Sequence, residues 1–544
     1  MKKLKLIIFL MSCLGLVALN NNCQKDKDDF KPGPPPENVI KSVLDISPPG
    51  EYVQSSEQPV NTLESFSSED KLIVTYYFYW YDVSTNAHII DSDGSDALTD
   101  HPADMQNFSY KDVSWHKQEL LDMIDAGIDI VIPVYWGDTG NLSWSVQGIE
   151  KLVEAWQSLK AEGINPPKIG MFYDTSSLQG EHVLKEPERP DLTTDFGKEY
   201  FYKLIRDFFS LVPPDLRARI DGKPYVQLYS AAFANKHDQS TFTFADQHFS
   251  MDFGGNDLYI VREVSWTNAT SENLYAWGAA LGGINAYGAI AIGPGYDDRA
   301  VPGRTTPVRD RENGQFYIDN WIKALVIGSL DKTMNIVIVE TWNEFHEGTD
   351  IAHSREYGRT YIDITSEYAA RFKNGEMPTE DFPGKEFLNA DSVYIEFGEK
   401  GDTHGITHVE PPDGETTVTM VEGIPCLQPV KTDYGGMYMY FAINYFFKMD
   451  RKDPVYNIKV EYYDSENSGF TLQYDSKDET APLNGAYKGM SGVNTTGTKT
   501  WKTASFEVAD ARFVNRQNGG ADFRLEAKTT NLYIKRVCVE IINQ

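Results

Sequence analysis

From about Lys71 to Phe345 the chain alternates short runs of β-branched and aromatic residues with longer amphipathic stretches, and this alternation restricts the fold more than any other feature. Apolar runs of strand length without polar alternation need cover on both faces, which a parallel sheet flanked by helices provides. Seven such runs occupy 71–82, 128–138, 167–174, 223–230, 257–266, 283–293 and 335–345. Between them lie stretches such as Ile149, Leu152, Val153, Trp156 and Leu159, whose i, i+3, i+4 spacing puts one apolar stripe on a helix. Seven strands with intervening helices predict an α/β fold, a (β/α)8 TIM-type barrel over 70–370 with one strand still to be placed. A doubly wound open sheet stays open as the alternative, although no GxGxxG or phosphate-binding loop follows any run.

Past Arg371 the period changes to two, in segments such as MYMYFAINYFF, YNIKVEYYD and YIKRVCVEI. Alternation of this kind, with turn residues between the runs, predicts an antiparallel β-sandwich of jelly-roll type over 391–544, joined by a linker at 371–390. Such a module either binds glycan or braces the catalytic domain. Cys426 and Cys538 lie in it, and pairing or burial as free thiols are both open.

Residues 1–22 carry Lys2, Lys3 and Lys5 and then an apolar stretch, followed by Cys23. This is signal-peptide architecture, too short for a membrane span. Lipidation is expected at Cys23; Cys13 sits in a better local context, but its apolar sequel would leave a hydrophobic mature N-terminus. The acidic segment QKDKDDF and the proline-rich KPGPPPEN then predict a flexible tether over 23–69. A lipid-anchored, surface-exposed protein of an outer membrane is the expected location. The formal charge of −30, from 50 Lys and Arg against 80 Asp and Glu, repels phosphate backbones. Nucleic acid is therefore excluded as a partner, and membrane contact is expected through the lipid alone.

Three of the apolar runs end in aromatics followed by an acid, at Asp82, Asp138 and Asp174. In a parallel barrel those ends converge on the face that carries active sites, so Tyr79, Trp80, Trp136 and Tyr173 are candidates to line a pocket there. For each Asp alone, capping the following helix is the commoner role. Aromatics make up 13% of the chain, a share that suits sugar-binding clefts, while most individual rings fill cores. Trp80 and Trp136 are the expected stacking platforms for sugar rings.

The last run ends in TWNEFHEGTDI, which places Glu344 and Glu347 three residues apart where a buried strand emerges. Glycosyl transfer requires a carboxyl to protonate the departing oxygen and a second group to meet charge developing at the anomeric carbon. A continued strand would separate the two residues by roughly 10 Å, whereas a turn brings their Cα atoms within about 7 Å. Gly348 permits that turn. No His-rich or HExxH pattern appears, and neither metal nor cofactor is expected.

Together with GAIAIGPGYDDRAVPGR (288–304) and RDRENGQFYIDNWIKAL (309–325), this segment resembles family 99 glycoside hydrolases, endo-α-mannosidases and endo-α-mannanases. The resemblance spans roughly 70–370 and is strongest in its last hundred residues. It implies that Glu344 assists the substrate's 2-hydroxyl in attacking its own anomeric carbon and that Glu347 is acid and then base at the leaving oxygen. It further implies that Asn343, His346, Tyr296 and Asp298 contact the substrate, and it matches Arg299 in the upstream loop. Phe345 stands where the family has Trp, and Asp350-Ile351 where it has Gln-Ile, which leaves the exact glycan open. The alternatives are a barrel hydrolase on another α-glycan and a non-catalytic surface glycan-binding lipoprotein.

Overall fold

Strands whose residues are apolar throughout are buried throughout: β1 (Leu72–Tyr77) and β2 (Ile130–Tyr135) have no exposed position. In this computed structural model the described residues are 42–542, apart from 54–62, 138–142, 180–188, 256, 305–307, 382–383, 398–401, 434, 449–453, 479 and 484. The expected signal segment 1–22, Cys23, most of the expected tether and Asp138 lie outside them. The chain divides into two compact units, one of residues up to Leu325 with Thr333–Glu376, the other of Val326–Lys332 with Met377–Gln544.

The first unit continues with β3 (Met171–Tyr173), β4 (Lys223–Leu228), β5 (Tyr259–Glu263), β6 (Asn273–Tyr275), β7 (Ile290–Ile292) and β8 (Ile336–Val339). Neighbours pair in parallel in chain order from β1 to β6, and β8 pairs in parallel with both β7 and β1. Between β6 and β7 the amides of Gly288 and Ala289 donate to the Leu274 carbonyl. The sheet is thus parallel and barrel-like. The strand missing from the sequence reading is β6, whose Asn-Leu-Tyr carries no β-branched residue. The run 283–293 is not one strand, because Asn285–Ala286 turns back antiparallel on β7.

Among the described residues, six helices of more than three turns accompany the sheet: α1 (Val113–Ala126), α2 (Ser143–Ala161), α3 (Asp195–Leu211), α4 (Gln239–Phe253), α5 (Gln315–Leu330) and α6 (Thr360–Lys373). Asp112 and Asp238 cap the N-termini of α1 and α4, and Gly127 and Gly254 end them in the left-handed region. No helix lies between β5 and β6, and the only one between β6 and β7 is the single turn Ala279–Gly282, so the strand–helix alternation is incomplete. Part of the expected tether lies on α3: Ser42 Oγ donates to Glu199 (2.6 Å), and Arg206 donates to the carbonyls of Leu44 (2.9 Å) and Ile46 (2.6 Å).

Period-two geometry decides which rings face inward. Tyr76 packs on Phe172 (4.7 Å between centroids) and Trp277 (4.8 Å) inside the sheet, whereas Tyr77 meets Trp115 of α1 (5.7 Å) on its outer face.

In the second unit the strands are antiparallel, and the Tyr456–Tyr463 strand is buried at every other residue. One sheet contains Ser392–Glu396, Ile424–Pro429, Tyr456–Tyr463, Trp501–Val508 and Ile534–Ile541; the other contains Ile406–Val409, Tyr438–Ile443, Gly469–Tyr474 and Phe523–Ala527. Side chains of both, including Ile458, Val539, Phe441 and Leu525, share one buried cluster. Cys426 and Cys538 are buried free thiols.

Gly293, just after β7, admits a close backbone approach: a Cβ there would lie 2.5 Å from both the Ala280 Cα and the Glu340 carbonyl oxygen. Gly293→Ala is expected to lower the unfolding free energy by about 1–3 kcal/mol in urea titration. Gly282→Ala, whose Cβ meets nothing within 4 Å, is the control and should change it by no more than about 0.5 kcal/mol.

Candidate active site

At the end of β8 the chain leaves the sheet and folds back on itself over 341–351. Thr341 N–H donates to the Thr349 carbonyl (2.9 Å), Ile351 N–H to the Thr341 carbonyl (3.2 Å) and Thr349 N–H to the Glu344 carbonyl (3.3 Å). Gly348 makes the turn in the left-handed region (φ 54°), where a Cβ would press within 3.2 Å of the Asp297 carbonyl. Asn343 ties this loop to the chain beyond β1, its amide accepting from Phe78 N–H (2.7 Å) and donating to Phe78 C=O (2.8 Å). From the other side the buried Arg311 donates to the carbonyls of Gly348 (3.0 Å) and Asp350 (2.8 Å) and to the carboxylates of Asp350 and Asp100 (2.9 Å each). The rings of Tyr357 and Tyr361 lie 4.3 and 4.6 Å from its guanidinium.

This loop buries two acids, Glu344 at 2% and Glu347 at 5% exposure. Glu344 Oε1 accepts from the backbone N–H of His346 (3.1 Å) and pairs with its Nδ1 (2.7 Å), while Glu344 Oε2 is buried with no hydrogen-bond partner among the described residues. The other ring nitrogen of His346 faces the His88 carbonyl at 2.9 Å. Acceptors on both sides are satisfied together only by the imidazolium. Burial opposes that charge, but Glu344 and the His88 carbonyl outweigh it and hold His346 above its ordinary value. Glu347 Oε1 accepts from Arg304 (2.6 Å). Burial and then the nearby Glu344 raise the Glu347 carboxyl, with Arg304 pulling the other way.

Tyr296 and Asp298 join the same group: Tyr296 donates to Asp298 Oδ2 (2.8 Å), which also accepts from Arg304 (3.2 Å). The arginine of the upstream loop that reaches the acids is Arg304; Arg299 instead pairs with Asp297 at the surface. Asn343 is buried and engages Phe78 with both ends of its amide, so it positions the loop. Trp80 is 5% exposed and its ring is stacked on His88 (5.0 Å), with Trp136 (5.6 Å) and His346 (5.8 Å) against its edges. It supports the Glu344–His346 pair and offers little open face for a sugar. Trp136 is partly exposed and donates to Asp174 (2.6 Å).

Tyr173 does not reach the site. It points outward against Phe201 of α3 (5.1 Å), because the inward residue of β3 is Phe172. Tyr79 also points outward, donating to the Ser145 carbonyl of α2 (2.9 Å). Asp82 is engaged by Lys111, Ser84, Thr85 and Ser109, which outweigh its burial and hold it below the usual carboxylate range. Asp174 also accepts from Ser176 N–H (3.0 Å) at the start of a short helix.

Sequence reasoning missed Glu340, Arg304, Arg311, His88 and Trp277. Arg304 and Arg311 had a signal, since they lie in the two upstream segments 288–304 and 309–325. Glu347 lines a small cavity with Glu340, Trp277, Tyr296, Thr341 and Thr349. A larger cleft of about 630 Å³ lies behind the loop, lined by Tyr296, Arg311, Gly348 and Tyr357 among others. Glu344 lines neither.

Because His346 is held above its ordinary value of 6.5, the stability it contributes is complete below that pH and is lost as pH rises through the folded value. Replacing it removes a charge-assisted bond of roughly 1.5–3 kcal/mol. The melting temperature of His346→Asn should therefore fall further below wild type at pH 6 than at pH 9, as read by differential scanning calorimetry.

The sequence matches, over residues 61–391, the family described as a domain of unknown function (DUF5010). No curated protein matches the chain. Among solved structures it is similar to the GH99 endo-α-mannosidase from Bacteroides thetaiotaomicron, at 16% identity and a TM-score of 0.41 over 56% of this chain and 98% of that one. It is also similar to the isomalto-dextranase of Arthrobacter globiformis T6 complexed with panose, at 11% identity and a TM-score of 0.29 over 90% and 100%. A third likeness is to the C-terminal CBM6 of the laminarinase LamC from Zobellia galactanivorans, at 14% identity and a TM-score of 0.18 over 27% and 98%. With more than half of its length inside the family match, the chain belongs to the family described as a domain of unknown function (DUF5010).

Proposed function

We propose that this protein is a glycoside hydrolase that cleaves α-mannosidic linkages within mannan or mannose-rich glycans, with retention of configuration. The observation that carries the reading is the pair Glu344 and Glu347 on one closed, braced loop at the end of β8, each in a different electrostatic setting. A buried carboxyl raised by its surroundings, beside a second carboxyl engaged by an imidazole, is the equipment of acid–base catalysis at a glycosidic bond. The motif NEFHEGT supports mannose as the sugar.

Glu344, facing the His346 imidazolium, takes the proton of the substrate's 2-hydroxyl as that oxygen attacks the anomeric carbon. Glu347, raised by burial, gives its proton to the departing glycosidic oxygen. Water then enters, Glu347 takes its proton as the new bond to the anomeric carbon forms, the three-membered ring opens, and Glu344 returns the proton to the 2-oxygen. Two inversions at one carbon retain configuration without an ester to the protein.

In this reading the parallel sheet is a (β/α)8 barrel with a reduced complement of helices, and the second unit is a jelly-roll-like β-sandwich appended to it. The protein is a lipoprotein anchored at Cys23 to the outer membrane and exposed at the cell surface, where glycan polymers are accessible.

Glu347→Gln should lose about 10²–10⁴-fold in turnover on α-mannan while still binding it, because amide and acid share a shape. Glu344→Gln should be similarly impaired. An activated leaving group should restore Glu347→Gln in part, since the leaving group then needs no proton, and should not restore Glu344→Gln, where 2-hydroxyl activation is lost. Oligosaccharide release by chromatography reads all of these, and a fully active Glu347→Gln on unactivated mannan contradicts the assignment. Products from an α-glucan but not from mannan would replace the sugar, and binding without products from any glycan would replace catalysis. Cys23→Ser should abolish fatty-acid labelling of the protein in the producing cell and leave catalysis unchanged; persistent labelling would place the anchor elsewhere.

A further inference from the structure

The cavity beside Glu347 contains a carboxyl that the mechanism above leaves unused. Glu340 follows β8, is 1% exposed, and accepts through Oε2 from the N–H groups of Gly278 (3.0 Å) and Ala280 (3.2 Å). Its other oxygen, Oε1, is buried and has no hydrogen-bond partner among the described residues. Glu340 and Glu347 line the cavity together with Trp277, Tyr296, Thr341 and Thr349. At about 10 Å³ it has room for a hydroxyl but not for a sugar ring. Trp277, partly exposed, lies parallel to Phe172 (6.0 Å) and edge-on to Tyr229 (5.3 Å), so its indole is held in one orientation at the cavity wall.

A buried polar atom without a partner is rare in folded proteins, and a carboxyl that carries one and lines a hydroxyl-sized space beside Glu347 has the chemistry of a ligand contact. We propose that Glu340 is a further substrate-binding residue: one oxygen holds the Gly278–Ala280 turn, and the other takes a sugar hydroxyl adjacent to the glycosidic oxygen that Glu347 protonates. This rests on the glycosidase reading and adds to it a specificity contact that the motif around Glu344 does not contain. Burial, offset in part by the amides it accepts and reinforced by Glu347, pushes the Glu340 carboxyl up to about 8. Besides burial, the groups that act on it most are the amides of Ala280, Gly278 and Ala279 and the Glu347 carboxyl, and it acts in turn on the phenols of Tyr76 and Tyr275. At neutral pH it therefore carries a proton, and because Oε2 accepts two N–H groups, that proton belongs on Oε1. Glu340 is then a neutral donor to the sugar, and its bond is lost when pH rises past its raised value.

The test compares Glu340→Gln and Glu340→Met in the full-length protein, with α-mannan oligosaccharides and with analogues lacking single hydroxyls. Glu340→Met should raise KM about tenfold, with kcat changed less, because it removes one hydrogen bond. Glu340→Gln, which keeps an N–H donor at that point, should recover most of the KM. On wild type, one deoxy analogue should show the same tenfold rise in KM, and that analogue should be handled equally by wild type and Glu340→Met. If Glu340→Met fails to fold, the deoxy series on wild type decides: no single-hydroxyl loss felt in KM overturns the proposal. It is also overturned if both variants keep the wild-type KM, or if Glu340→Gln is as impaired as Glu340→Met. An active wild type with unaffected Glu340 variants removes this inference alone, whereas a wild type that neither cleaves nor binds any glycan in calorimetry removes the glycosidase reading with it.

Discussion

Where β8 stops, the side-chain amide of Asn343 takes over as the partner of the chain running out of β1, and the site depends on that substitution. Trp342 N–H still donates to the Tyr76 carbonyl at 3.0 Å, in the manner of a strand. One residue later the backbone has turned away, and the Phe78 N–H and C=O would be left buried without partners, at a cost of about 1–3 kcal/mol each. The Asn343 amide presents the donor and acceptor that the departing backbone no longer supplies. Glu344 follows immediately and its direction is set by that clamp. Arg311 closes the far end of the same loop through the Gly348 and Asp350 carbonyls, so a segment without regular secondary structure is held as firmly as a strand.

A loop so fixed can hold charges in a low-dielectric setting, and the cations are distributed accordingly. Glu344 has His346, Glu347 and Asp298 share Arg304, and Asp350 and Asp100 share Arg311. Each cation is buried or half-buried and paired at hydrogen-bonding distance, which offsets the desolvation of its carboxylate. Glu340 alone has backbone amides in place of a cation. The acids at the end of β8 therefore stand in graded surroundings, from an imidazole partner through a shared arginine to backbone amides.

Several errors of sequence reading share one cause. Tyr173 and Phe172 are equally aromatic neighbours, and only the phase of β3 in the sheet sends one outward to Phe201 and the other inward to Tyr76. Trp80 has the inward phase, but His88, from a loop eight residues on, covers its ring. β6 was invisible because three residues of mixed type carry no period, and its place is fixed by hydrogen bonds to Val261 through Glu263 on the neighbouring strand. Arg299 and Arg304 are both arginines of one motif, and the loop path alone brings the second to Glu347.

Local matters were legible in the sequence: strands buried on both faces alternating with amphipathic helices, a change to period two after Arg371, and two glutamates with a glycine beside them where a turn had to form. These follow from side-chain volume, spacing and backbone freedom, all of which act within a few residues. Which cation meets which acid, which rings face the interior and which carboxyl oxygen is left without a partner were set by the folded chain as a whole. Those depend on groups separated by tens to hundreds of residues, such as Phe78 and Asn343 or Asp100 and Arg311, whose meeting is a property of the whole barrel-like sheet rather than of any segment in it.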